Sequence, residues 1–132
     1  MLNYYDLQKT IYEKLFANIE LMAQISGVYD NVPQETAYPF ISFGKNNSKK
    51  YDVLGKNGLE QKLDIEVWSR EGGKKQSAYI MESIYSLLHN GNITIAGHTV
   101  ISMEIISSSI NLESDGRTYR GIINLRVILS VN

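Results

Sequence analysis

The stretch Val28-Tyr29-Asp30-Asn31-Val32-Pro33-Gln34-Glu35-Thr36-Ala37-Tyr38-Pro39-Phe40-Ile41-Ser42-Phe43-Gly44 holds both prolines of the chain and divides a helical pattern from a series of strand patterns. Proline has no N–H to give a ladder and biases the residue before it toward extended backbone. Val32 and Tyr38 are therefore expected to be extended, and Pro39 sets the start of a short apolar strand from Phe40 to Gly44. Val28-Tyr29 reads as a very short strand that cannot continue through Pro33.

Upstream, Leu7, Ile11, Leu15, Ile19, Met22 and Ile25 recur at steps of three and four, which is the stripe of one amphipathic helix over about residues 4 to 25. Downstream, residues 45 to 58 are polar and carry four lysines against one aspartate. They read either as a solvated loop or as a long projecting hairpin, with Asn57-Gly58 as the favoured pair for a tight turn. Leu63, Ile65 and Val67 then alternate with Lys62, Asp64, Glu66 and Trp68, a strand with one buried face. After the turn Ser69-Arg70-Glu71-Gly72-Gly73, a second helix follows on Ala78, Met81, Ile84 or Tyr85, and Leu88.

Ile93-Thr94-Ile95 and His98-Thr99-Val100 flank Ala96-Gly97 as a small hairpin. A long strand runs from about Val100 to Leu112. Its apolar positions change from odd (Ile101, Met103, Ile105) to even (Ile106, Ile110, Leu112), which predicts a β-bulge near Ile105–Ser107. Asp115-Gly116 turns the chain into a last strand from Arg117 to about Val131, with Ile123, Leu125, Val127 and Leu129 on one face. Helix, strands, helix, strands with hairpin turns give an α+β class: a two-layer domain with a mainly antiparallel β-sheet and two helices packed on one face. The other face, bearing Asp64, Glu66, Trp68, Asn124 and Arg126, is left to water or a partner. The whole of 1–132 reads as one domain.

Composition narrows the function. A net charge of −1 and a pI near 6.1 disfavour a general nucleic-acid binder. The absence of cysteine removes thiolate nucleophiles and Cys-based zinc sites. The start of the chain has no basic n-region followed by an apolar h-region, and no apolar run nears the roughly 20 residues that span a bilayer, so a soluble protein without a signal peptide and with no membrane partner is expected. His89 and His98 lack metal-ligand spacing. Asp64 and Glu66 share a strand face but suggest no third ligand, and fit a solvated face paired with Arg126 better than acid–base chemistry. The turn at 69–75 lacks the glycine spacing of a phosphate loop, and Ser107-Ser108-Ser109 has no elbow glycines. No enzyme and no cofactor is expected. Lys49, Lys50 and Tyr51 in the basic stretch, and Arg117, Tyr119 and Arg120 after the last turn, have interface chemistry rather than catalytic chemistry.

Taken together, Tyr29-Asp30-Asn31-Val32-Pro33-Gln34, Tyr38-Pro39-Phe40-Ile41-Ser42-Phe43-Gly44, Leu63-Asp64-Ile65-Glu66-Val67-Trp68-Ser69 and Asp115-Gly116-Arg117-Thr118-Tyr119-Arg120-Gly121 resemble the pattern of phage tail-completion proteins, the tail-terminator or head-to-tail joining proteins of long-tailed phages and prophages. The resemblance covers nearly the whole chain in order and length. It implies a virion tail protein, assembled in the host cytoplasm, that forms a homo-oligomeric ring, commonly a hexamer. Such a ring caps the tail tube, stops its polymerisation and meets the head connector, without specific nucleic-acid binding and leaving DNA free to pass through. On that reading Val32, Pro33 and Tyr38 join the other six residues as expected subunit or partner contacts. The alternatives are another neck or minor tail component of the same fold, or a small module that binds through its polar sheet face or basic loop.

Overall fold

The computed structural model describes residues 2–132. Its elements are helix α1 (Tyr4–Phe16), a single helical turn α2 (Ile19–Met22), β1 (Val28–Tyr29), β2 (Phe40–Lys50), β3 (Gly58–Ser69), helix α3 (Lys75–Leu88), β4 (His98–Leu112) and β5 (Tyr119–Val131). The strands form one sheet in the order β1-β2-β3-β5-β4. Every pairing is antiparallel except the two-residue parallel contact of Val28 with Ile41 and Tyr29 with Ser42. This is the α+β architecture that the hairpin turns imply.

Alternation in the strands decides which face is covered. Leu63, Ile65 and Val67 of β3 are buried, and directly opposite them Leu125, Ile123 and Gly121 of β5 point the same way. Leu7, Ile11 and Leu15 of α1, and Ile80, Ile84 and Leu88 of α3, close over this face and are likewise buried. Each such side chain contributes about 1.5–3 kcal/mol of transfer free energy. The expected stripe of α3 is shifted: Ser77 and Ile80 are buried beside Met81, Ile84 and Leu88, while Ala78 is half-buried and Tyr85 is exposed.

Five further expectations are corrected. The first helix is broken at Ala17–Asn18 because Asn18 takes extended backbone and its side chain accepts from Leu21 N–H at 2.8 Å, so it caps a new turn. β2 does not stop near Gly44 but runs on to Lys50, paired with β3 down to Leu59, so residues 45–58 are a hairpin and not a loop. Asn57-Gly58 is not its turn. Val53 and Lys56 exchange backbone hydrogen bonds of 3.0 and 2.9 Å around Leu54 (φ 49) and Gly55 (φ 77). Two central residues at positive φ make a type I′ turn, natural for Gly55, whereas leucine in that region costs about 1–2 kcal/mol. Residues 93–95 are not a strand, and the last strand begins at Tyr119. The register shift between Ile105 and Ser107 is the expected bulge, and a second lies between Val100 and Ser102. These two bulges leave Ile106 and Ile101 exposed on the sheet's edge strand.

Candidate functional site

Among the described residues no group of three His, Asp or Glu side chains is placed to hold a metal. His89 stacks on Tyr85, and its Nδ1 accepts from Ile105 N–H at 3.1 Å. His98 is buried at the start of β4, with Nδ1 3.1 Å from the Ala96 carbonyl. Neither faces a nucleophile. Ser107 donates to Asn124 at 2.5 Å and belongs to a polar ladder across the sheet.

That ladder occupies the face opposite the helices. Asn124 donates to Asp64 at 2.7 Å. Arg120 binds Glu66 through both Nε and a terminal nitrogen and lies over the Trp68 ring, 5.4 Å from its centroid. Trp68 donates from Nε1 to Ser42 Oγ at 2.9 Å and stacks on Phe40. Arg126 donates to Glu60 at 2.6 Å and approaches Glu104 at 3.9 Å. The hydrogen bond from Arg126 holds the Glu60 carboxyl below its usual range, and the same bond raises the guanidinium in turn. The expected partner of the acidic pair is thus corrected: Glu66 takes Arg120 and Asp64 takes Asn124, because the register sets Arg126 opposite Lys62, between Glu60 and Glu104. Among the described residues the acids of this ladder, Glu60, Asp64 and Glu66, are each held by a partner, while Lys62 stays exposed beside them.

The residues expected at an interface fall at the two ends of the strands. At one end, β2 and β5 begin and β3 and β4 finish. Here Val32, Pro33, Glu35, Tyr38, Phe40 and Arg70 line an open cleft of about 430 Å³. Tyr38 packs on Phe40 with ring centroids 5.0 Å apart, and the Arg70 guanidinium sits 4.2 Å over the Tyr38 ring. Arg70 also donates to Thr118 Oγ1 at 2.9 Å and approaches Asp115 at 3.8 Å. One side chain thereby ties the proline segment, the β3–α3 turn and the β4–β5 turn together. Asp115 caps that last turn: it accepts from Thr118 Oγ1 and from the N–H groups of Arg117 and Thr118, and these bonds lower its carboxyl to about 2. Arg117, Tyr119 and Arg120 lie on this same turn and the strand it opens.

Lys49, Lys50 and Tyr51 are at the other end, exposed on the β2–β3 hairpin. Tyr51 lies over Arg126 at 5.7 Å, and Lys50 is 3.7 Å from Asp52. β2 has 11 residues, so about 3.3 Å per residue separates the two clusters by roughly 35 Å. The structure therefore brings six of the nine residues together and holds three apart. Arg70, Glu35 and Leu54 were missed from the sequence. Leu54 carried one visible signal, a lone leucine beside a glycine in an otherwise polar run, and Arg70 carried none beyond its place at a strand end.

A small α+β domain whose titratable groups, among the described residues, form ion pairs and caps rather than a catalytic or metal constellation has the character of a structural protein. Comparison with known proteins gives the family. The family model described as "Tail completion protein gp17" matches residues 9–130, and the chain belongs to that family. It is 23% identical over 128 residues to the tail completion protein gp17 of Bacillus phage SPP1, covering 96% of this chain and 93% of the relative. A solved structure of SPP1 gp17 superposes with a TM-score of 0.63 at 21% identity, covering 98% of this chain and 91% of that one. A chain from the virion of a native gene transfer agent particle superposes with a TM-score of 0.86 at 16% identity, covering 96% of both. The protein is accordingly a structural phage tail-completion protein of the virion tail.

Proposed function

We propose that the chain acts as one domain that assembles head-to-tail into a closed ring, a hexamer in the simplest case. The ring caps the tail tube, ends its polymerisation and joins the tail to the head connector. The observation that carries this reading is the separation of two unlike surfaces at opposite strand ends: a ring needs a heterologous contact, in which one patch meets a different patch on the next copy. Two open backbone edges support it. β4 has no strand on its outer side among the described residues, where only Met103 and Ile105 are engaged, by Asn90 and His89, and β2 has a strand partner on its outer side only at Ile41 and Ser42. Membership of a tail-completion family and a like fold within a virion agree with it.

The test is the mass of the purified chain by light scattering across concentration, joined to electron microscopy of particles lacking it. Rings, together with tails of irregular length that fail to join heads, are expected. A strict monomer, with normal tails in its absence, would remove the proposal. Substitution of Pro33 or Tyr38 is expected to weaken assembly before it lowers the melting temperature, since both lie on the cleft and outside the buried core.

A further inference from the structure

We propose that the β2–β3 hairpin is an insertion arm whose tip residue, Leu54, seats in the Val32–Tyr38 cleft of a second copy of this chain. The proposal rests on the ring reading above and specifies which two surfaces make its subunit contact. Leu54 combines two unfavourable features. It is 98% exposed, and its backbone lies at φ 49, where asparagine, aspartate or glycine serves a type I′ turn without cost. Nothing in its own chain offsets either feature. An apolar side chain held at the end of a projecting arm is the arrangement of an interface anchor, which fills a pocket on a partner.

The receiving cleft is lined by Val32, Pro33, Tyr38 and Phe40 together with the polar Glu35, Thr36 and Arg70, and at about 430 Å³ it has room for a leucine and part of the turn behind it. It lies at the far end of the sheet from the hairpin, so a chain cannot fill its own cleft and the contact must join different copies. Charge and size together favour this cleft: the hollow of about 420 Å³ at the hairpin's own end is lined by Lys49 and Lys50 and repels a basic arm. Residues 49–56 carry three lysines and one aspartate, whereas the acid that lines the cleft is Glu35. Arg70, the cation of the cleft, is already engaged by the Tyr38 ring and Asp115. The apolar hollow beside Tyr5 and Tyr12 is smaller, at about 130 Å³, and is lined by both Lys9 and Asp30. The one beside Met81 and Ile105 is about 80 Å³.

The chain has no cysteine, so engineered thiols report contacts without background. Chains bearing Leu54→Cys are mixed with chains bearing Val32→Cys under assembly conditions and oxidised. A disulfide between the two kinds of chain is expected, and none when the second chain bears Phe16→Cys on the helical layer. Leu54→Asp is expected to raise the concentration for half-assembly by about ten-fold or more, without lowering the melting temperature of the unassembled chain, since aspartate suits the backbone at φ 49 better than leucine. Glu35→Lys is expected to weaken assembly, and Lys50→Glu in the same chain to restore it. If wild-type chains form rings but no such disulfide appears and Leu54→Asp assembles normally, the insertion arm is refuted and the ring reading stands. If wild-type chains never associate, the ring reading falls and the arm falls with it.

Discussion

Gly58 opens β3 with no positive φ, so its glycine is not required by backbone conformation. Space requires it. A Cβ built there would meet the Tyr51 carbonyl oxygen at 2.1 Å and the Leu129 carbonyl oxygen at 2.8 Å. Both obstacles are backbone, one in the neighbouring arm of the hairpin and one in β5, and neither yields by a rotamer change. Gly58→Ala must therefore push the hairpin arm away by about 1 Å to regain van der Waals contact, an overpacking cost of about 1–3 kcal/mol. The shift also disrupts the hydrogen bond from Tyr51 N–H to the Gly58 carbonyl, now 3.0 Å, worth about 0.5–1.5 kcal/mol more. A loss of about 2–4 kcal/mol is expected in urea unfolding, read as a lower midpoint with an unchanged slope. Gly55→Ala is the control: its Cβ meets nothing within 4 Å and its φ is 77, so it pays only the left-handed penalty of about 1–2 kcal/mol. If Gly58→Ala unfolds within about 0.5 kcal/mol of wild type, the steric reasoning is wrong.

Leu125→Ala removes a fully buried side chain from β5, between β3 and β4, and is expected to cost about 2–5 kcal/mol in the same urea assay. Arg120→Met strips the cation from Glu66, which is 7% exposed, but the Arg120 side chain is itself 38% exposed; a discounted loss of about 1–3 kcal/mol is expected, mostly recovered when Glu66→Gln is added. Asp115 has its folded carboxyl pKa lowered to about 2 from an ordinary 3.8, first by the Thr118 hydroxyl and then by backbone N–H groups. Its contribution is therefore fully present above about pH 3.8 and lost as pH falls through about 2, and Asp115→Asn should remove that part of the acid dependence; a carbon-detected NMR titration placing the midpoint near 3.8 would contradict the cap.

Most of the architecture was legible because it follows from period and punctuation. The odd residues of β3 and β5 alternate so regularly that the buried face could be assigned without coordinates, and the change of phase in β4 marked its bulge. The failures have physical causes. Asn18 sits within an unbroken apolar stripe, yet its side chain does better as a cap than as a helix-interior residue. Residues 45–50 are polar on both faces, so period two left no trace of a strand that is held by backbone pairing with β3. Asn57-Gly58 has favoured turn chemistry, but its glycine serves a close backbone approach while Leu54, a poor turn former, occupies the actual turn. At the candidate site, Val32, Pro33 and Tyr38 were visible as an interruption in the pattern. That Arg70 would join them to the Asp115 turn depends on strand order, which no local pattern encodes.

The distribution of satisfied and unsatisfied surface follows from the same topology. On the open face each cation of β5 has an acid across the ladder, so the face costs little in water and gains little from a partner. The strand ends are different. Leu54 is almost fully exposed, Val32 and Pro33 are exposed beside half-buried Tyr38, and the outer edges of distal β2 and of β4, outside Met103 and Ile105, have no neighbouring strand among the described residues. Apolar area gains most by leaving water, and a solvated strand edge is a ready template for pairing with another chain. Association is therefore expected to draw on the ends and edges while the charged face remains wet. Substitutions that only disturb the ladder, such as Asp64→Asn, should leave assembly intact, whereas small changes at the cleft or the hairpin tip should not.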